Sequence, residues 1–166
     1  MKTNNHNNSG KSNILVMGIG NFLMGDEGVG VHFIHQYKSE LERLHVHILD
    51  GGTGGFHLMG ILEEYPMVIL LDATMDGFPP GTIQKLKPRF STEFPPALSA
   101  HDIGLKDLVE GLIIRDKLPE ICLITISINE IQPMTVGLTD EVKKSFPKVF
   151  EEVKNVIEGW KVEMKI

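Results

Sequence analysis

Cysteine is nearly absent: Cys122 is the one thiol in 166 residues. That excludes a disulfide framework and a thiolate metal cluster within the chain. A basic surplus is also missing. Sixteen Lys and Arg stand against 22 Asp and Glu, a net charge of −6, which argues against a general nucleic-acid binder. No apolar run approaches the ~20 residues that span a bilayer; the longest covers residues 14–20. Several catalytic signatures are lacking too. Without a Gly-x-Ser-x-Gly elbow the standard α/β-hydrolase arrangement fails, and without His-Glu-x-x-His so does the common zinc-protease helix. Gly10-Lys11-Ser12 looks like the end of a phosphate-binding loop. The glycine that motif needs five residues earlier is Asn5, however, and no strand precedes it.

What is abundant is glycine, 17 residues in all, ten of them between Gly18 and Gly60. Hydrophobic content of 42% and charged content of 23% are otherwise ordinary for a globular protein. The length suits one domain with a full core. Residues 1–12 are polar and aperiodic, which predicts a disordered leader ahead of a single α/β domain over residues 13–166. The leader lacks the apolar centre of a signal peptide, so a soluble, cytoplasmic protein is expected.

The rest of the chain alternates between strand and helix patterns. Residues 14–17 read as a buried strand. A helix is predicted over about 27–44, with Val31, Ile34 and Tyr37 at helical spacing and Asp26 as its N-cap. A second strand is expected over 45–49, a helix around 55–64, and a third strand over 67–71. A short fourth strand, 82–86, follows the Pro79-Pro80-Gly81 turn. A proline-rich loop over 87–100 leads to a helix near 105–113. A fifth strand over 121–128 and a long helix from about 139 to 161 complete the pattern. Strands separated by helices imply a largely parallel sheet covered on both faces. The fourth strand leaves no room for a crossover helix, so it is expected to run antiparallel.

Open α/β sheets bind ligands beyond the carboxyl ends of their parallel strands. After the first strand come Gly18 to Glu27, after the second Asp50-Gly51-Gly52-Thr53-Gly54-Gly55, after the third Asp72, and after the fifth Asn129 and Glu130. His101 lies on a loop that could fold over the same edge. The first glycine cluster is a poor dinucleotide fingerprint. Its third glycine would fall at Leu23, and Asp26 and Glu27 at the helix start would repel a pyrophosphate. Glu27, Asp72 and His101 together offer two carboxylates and an imidazole, a set suited to a divalent metal with open coordination positions. Each has an ordinary structural reading as dipole partner, cap or loop histidine. Other histidine pairs, His32 with His35 and His45 with His47, have no carboxylate placed beside them by sequence. Cys122, inside a strand, is expected to be inert.

Five blocks in order then resemble a known family. They are Ile14-Leu-Val-Met-Gly-Ile-Gly-Asn-Phe-Leu-Met-Gly-Asp-Glu-Gly-Val-Gly-Val31, Leu49-Asp-Gly-Gly-Thr53, Leu71-Asp-Ala73, Ser99-Ala-His-Asp-Ile-Gly-Leu105 and Gly137-Leu-Thr139. The chain resembles the maturation endopeptidases of [NiFe]-hydrogenases, which trim the C-terminus of the hydrogenase large subunit. The resemblance implies a three-layer α/β/α fold of the phosphorylase/hydrolase-like type, with a five-stranded mixed, mostly parallel sheet. It also implies a site of Glu27, Asp72 and His101 that acts as metal ligands and catalytic groups. The metal would be nickel carried by the substrate, with other divalent ions able to substitute. Gly20, Asn21, Asp50, Gly51, Gly52 and Thr53 would line the cleft, their small side chains leaving room for a peptide tail. The expected partner is a large-subunit precursor, and a monomer is expected. The rival reading is a non-catalytic nickel-sensing chaperone for the same precursor, which would bind it and cut nothing.

Overall fold

Alternation along the strands builds the core. The computed structural model describes residues 12–89, 91–94 and 104–165. Residues 1–11 of the expected leader, and His101, lie outside the described residues. The strands are β1 (Ile14–Gly18), β2 (His47–Asp50), β3 (Met67–Thr74), β4 (Ile83–Leu86) and β5 (Glu120–Ser127). The helices are α1 (Val29–Gln36), α2 (Lys38–Glu42), α3 (His57–Leu62), α4 (Leu105–Ile114), α5 (Asp140–Lys144) and α6 (Phe146–Met164). Successive side chains of a strand face opposite ways. Ile14 and Val16, Ile69 and Leu71, and Ile124 and Ile126 therefore share one apolar cluster with α1, α2, α5 and α6. Leu15 and Met17, Val68 and Leu70, and Ile121 and Leu123 share another with α3 and α4. The result is a helix–sheet–helix sandwich, with five strands in the order β2-β1-β3-β5-β4. All neighbours are parallel except β4, which pairs antiparallel with β5 as its short connection required.

Three expectations need correcting. The helix predicted over 27–44 is a 3₁₀ turn, Gly25–Gly28, followed by α1 and α2. The interruption is at Tyr37, whose backbone (φ −101°, ψ 17°) leaves helical geometry although its ring still stacks on Phe33 one turn earlier and on Phe150. The long last helix is split at Ser145, because Pro147 in the first turn of α6 has no N–H to carry the earlier ladder through. β3 runs three residues beyond its apolar stretch, so Asp72 sits on the strand, paired with Thr125 of β5, and not after it. Pairing with β5 supplies backbone partners that the side-chain pattern did not announce. No helix among the described residues is long and apolar enough to cross a membrane.

The strand order creates a break in direction. From β1 the chain moves outward to β2 through α1 and α2; from β3 it moves the other way, to β4 and β5. The connections on the two sides diverge, and a crevice opens at the carboxyl ends of β1 and β3.

Candidate functional site

Glu27 and Asp72 flank that crevice. Glu27 belongs to the 3₁₀ turn that follows β1, and this turn lies against β3. Asp72 is near the end of β3, in the side-chain row of Val68 and Leu70 that faces α3 and α4. His101, three positions before Gly104, the N-cap of α4, lies outside the described residues. Among the described residues no group of three His, Cys, Asp or Glu is placed to hold a metal. Glu27 and Asp72 lie on adjoining elements at the carboxyl ends of β1 and β3.

Glycine makes this proximity possible. A Cβ on Gly30 would stand 2.2 Å from the Leu71 carbonyl oxygen and 2.7 Å from that of Ile19. One on Gly18 would meet the Gly30 carbonyl oxygen at 2.2 Å, and one on Gly20 would meet that of Glu27 at 2.4 Å. The backbone of the turn and of α1 therefore rests directly on the strand ends. At Gly18, Gly20, Gly28 and Gly30 the space a Cβ would take is filled by the protein's own backbone, and at Gly25 by the Gln132 side chain. Gly52 differs: it has φ of 53° and nothing within 4 Å of its missing Cβ, which is the open surface expected of a cleft glycine.

Glu27 is 6% exposed. Its Oε2 accepts the Asn21 backbone N–H at 2.6 Å, a charge-assisted bond that orients the carboxylate. Asp72 is half-buried, and its Oδ1 accepts the Ala73 N–H at 2.9 Å. Asp50 ends β2; its Oδ1 accepts the Gly52 N–H at 2.8 Å and its Oδ2 lies 2.7 Å from His35 Nε2. The Gly52 carbonyl in turn accepts the Gly20 N–H, and Gly18 accepts from Gly51. Gly20, Asn21, Asp50, Gly51 and Gly52 thus form one hydrogen-bonded rim, with Thr53 beside it. Thr53 has no described side-chain contact that gives it a role.

The other histidines separate from this rim. His32 stacks under Phe22 at 4.2 Å, and its Nε2 is buried with no hydrogen-bond partner among the described residues. Burial holds its pKa below the usual histidine value. His47 hydrogen-bonds Tyr65. The carboxylate on His35 could not be read from sequence, because Asp50 reaches it only through β1–β2 pairing. Cys122 is fully buried, and burial pushes its thiol up to about 11, as suits an inert residue.

Asp26 is the residue that sequence reasoning misplaced. Neither the 3₁₀ turn nor α1 has a side-chain N-cap. Asp26, 1% exposed, instead reaches across the crevice mouth to the segment between β5 and α5. Its two carboxylate oxygens accept the Thr139 N–H and hydroxyl, each at 2.8 Å, and Gln132 Nε2 approaches at 3.5 Å. The Asp26 N–H donates back to Gln132 Oε1 at 2.8 Å. A further bridge pairs Met24 with Thr135, with Thr135 donating to Leu23 and Gly25 donating to Thr135. This latch gives the Gly137-Leu138-Thr139 block a physical role beside Glu27. Its only sequence signal was that block's presence. Asp26→Ala leaves two half-buried donors of Thr139 without their charged acceptor. The expected cost is about 2–3 kcal/mol, a fall in Tm of roughly 5–10 °C for a domain of this size. Asp26→Asn should fall between the two in a thermal melt, since its amide group would face the Gln132 donor. A Tm for Asp26→Ala within a degree of the parent would remove the latch.

Comparison with known proteins places these features. The profile of the HycI hydrogenase maturation protease family matches residues 31–156. The chain is 31% identical to the hydrogenase 2 maturation protease of Escherichia coli over 84% of its own length and 87% of that protein. It is also 31% identical to the hydrogenase expression/formation protein HupD of Rhizobium leguminosarum, over 90% of this chain and 76% of the other. The solved structure of the hydrogenase maturating endopeptidase HybD from E. coli superposes with a TM-score of 0.77 at 28% identity, covering 88% of this chain and 92% of that one.

Proposed function

Because the chain belongs to the hydrogenase maturation protease family, we propose that it is the endopeptidase that removes the C-terminal peptide from a nickel-loaded [NiFe]-hydrogenase large-subunit precursor. The observation that carries this reading is the pair of carboxylates, Glu27 and Asp72, supplied by two strand ends to one crevice. Oxygen donors of this kind, completed by an imidazole such as that of His101, suit nickel and other borderline divalent ions.

The nickel in this reading arrives with the substrate. Glu27 and Asp72 would hold it, with His101 as the third ligand. Bound nickel would polarise the scissile carbonyl as a Lewis acid. The chain's own residues do the positioning. Asn21 holds the Glu27 carboxylate in one orientation through its backbone N–H, the kind of support that fixes a ligand's direction. Ala73 does the same for Asp72. The Asp50–Gly52 rim and the open face at Gly52 leave a path for an extended tail to lie beside these groups, and holding the peptide there converts an encounter into an intramolecular step.

An empty precursor lacks the main anchor, so cleavage becomes a checkpoint on metal loading. Incubation of the chain with nickel-loaded and with empty precursor tests this. The loaded precursor should lose the mass of its C-terminal peptide and the empty one should stay intact. Equal trimming of both would defeat the checkpoint. Binding of the loaded precursor with no mass change would leave a nickel-sensing chaperone in place of an endopeptidase.

A further inference from the structure

The loops that leave β1, β2, β3 and β5 at the crevice edge have an unusual composition. Residues 18–28, 50–57, 74–82 and 128–139 contain no Lys or Arg, although the chain has sixteen. They do carry Asp26, Glu27, Asp50, Asp76 and Glu130. They also expose large apolar side chains. Leu23 is 51% exposed, Val136 62% and Met134 88%, with Phe22 exposed beside them. The Met24–Thr135 bridge is parallel, which sets Leu23 next to Met134, so these side chains form one ledge. Large apolar groups gathered in one place on a surface mark an interaction site.

Two observations say that the ledge is built and not incidental. Its backbone is held by the Asp26 latch described above, so the apolar side chains are presented on a fixed frame. Met134 also adopts a left-handed φ of 55°, a conformation that glycine takes without strain. The turn thus holds a long apolar side chain in solvent at a position whose geometry favours no side chain at all. The ledge is continuous with the 3₁₀ turn that carries Glu27, so whatever covers it is in register with the crevice.

Resting on the endopeptidase reading, we propose that Phe22, Leu23, Met134 and Val136 are the surface on which the folded body of the precursor docks, and that the precursor face seated there is apolar at its centre and basic at its margin. Apolar and aromatic groups suit the centre of such an interface. The cation-free, carboxylate-bearing loops around the ledge supply the complementary charge and speed the encounter.

The test is the affinity of nickel-loaded precursor for the chain, read by fluorescence anisotropy, with trimming followed separately by mass. Met134→Asp and Val136→Asp should each raise Kd about tenfold or more, the size of effect seen when a central interface residue is lost. Ile114→Asp, at an exposed position at the end of α4, should leave Kd unchanged. Met134→Gly separates docking from structure: it relieves the backbone, so Tm should hold or rise while Kd still rises. Raising salt from low to moderate concentration should weaken the unmodified pair. A Kd for Met134→Asp and Val136→Asp within twofold of the parent overturns the docking surface, and an affinity indifferent to salt overturns the basic margin. Trimming of both loaded and empty precursor with the affinity pattern intact would instead count against the nickel checkpoint alone.

Discussion

Asp72→Asn will slow trimming of nickel-loaded precursor by on the order of 100- to 1000-fold while leaving Tm within a degree or so of the parent. The scale is that of removing one preorganised electrostatic group from a catalytic centre. The substitution keeps the size and shape of the side chain, and an amide oxygen can still accept the Ala73 N–H that Asp72 Oδ1 now accepts. What it removes is a negative charge and a strong donor for a divalent ion. Because Asp72 stands on β3 in a row facing α3 and α4, half-buried and outside the apolar clusters, its charge contributes little to the core. Loss of activity and retention of fold should therefore part company. Precursor mass against time and a thermal melt read the two separately; a variant that trims at the parent's rate would refute the role of Asp72.

Gly30→Ala has the largest expected effect on stability. The added methyl would lie 2.2 Å from the Leu71 carbonyl oxygen, with the Ile19 backbone on its other side. Overpacking against flexible side chains typically costs 1–3 kcal/mol. Here the obstructing atoms are backbone of the two central strands, so α1 must lift away from the sheet, and a cost of about 4 kcal/mol or more is expected. That corresponds to a fall in Tm of roughly 8–16 °C. The lifted segment is joined to the turn of Glu27, so trimming should fall with stability. Gly159→Ala is the opposite case: Gly159 lies within α6 with nothing near a Cβ, and alanine there should stabilise by up to about 1 kcal/mol through helix propensity. Should Gly30→Ala melt like the parent, close backbone contact would not be the reason for this glycine.

The same contrast shows which parts of the molecule are legible in one dimension. Runs such as Met67 to Leu71 declare buried strands, because a strand covered on both faces must be apolar on both. Asp72 was recognisable as a strand-end carboxylate, although it proved to lie on β3 itself. The breaks at Tyr37 and Ser145 were both missed: Tyr37 has no breaker residue beside it, whereas Pro147 was a local signal that the continuous helical pattern of 139–161 overrode. Asp26 shows the limit most clearly. As an acidic residue just before a helical pattern it matches an N-cap, yet its partners are Thr139 and Gln132, more than a hundred residues on. Local propensity describes only what a residue can do with its neighbours in sequence.

Residue order by itself determined the alternation of strand and helix, the antiparallel fourth strand and the delivery of acidic and glycine-rich segments to one edge, because hydrophobic period and connection length are local properties. Tertiary structure alone decided that β1 and β3 would be neighbours with diverging connections, that glycines would seat α1 on their ends, that His35 would meet Asp50, and that Asp26 would latch the Met134 loop beside Glu27. Those are contacts between segments far apart in the chain, and they exist only once the sheet has chosen its strand order.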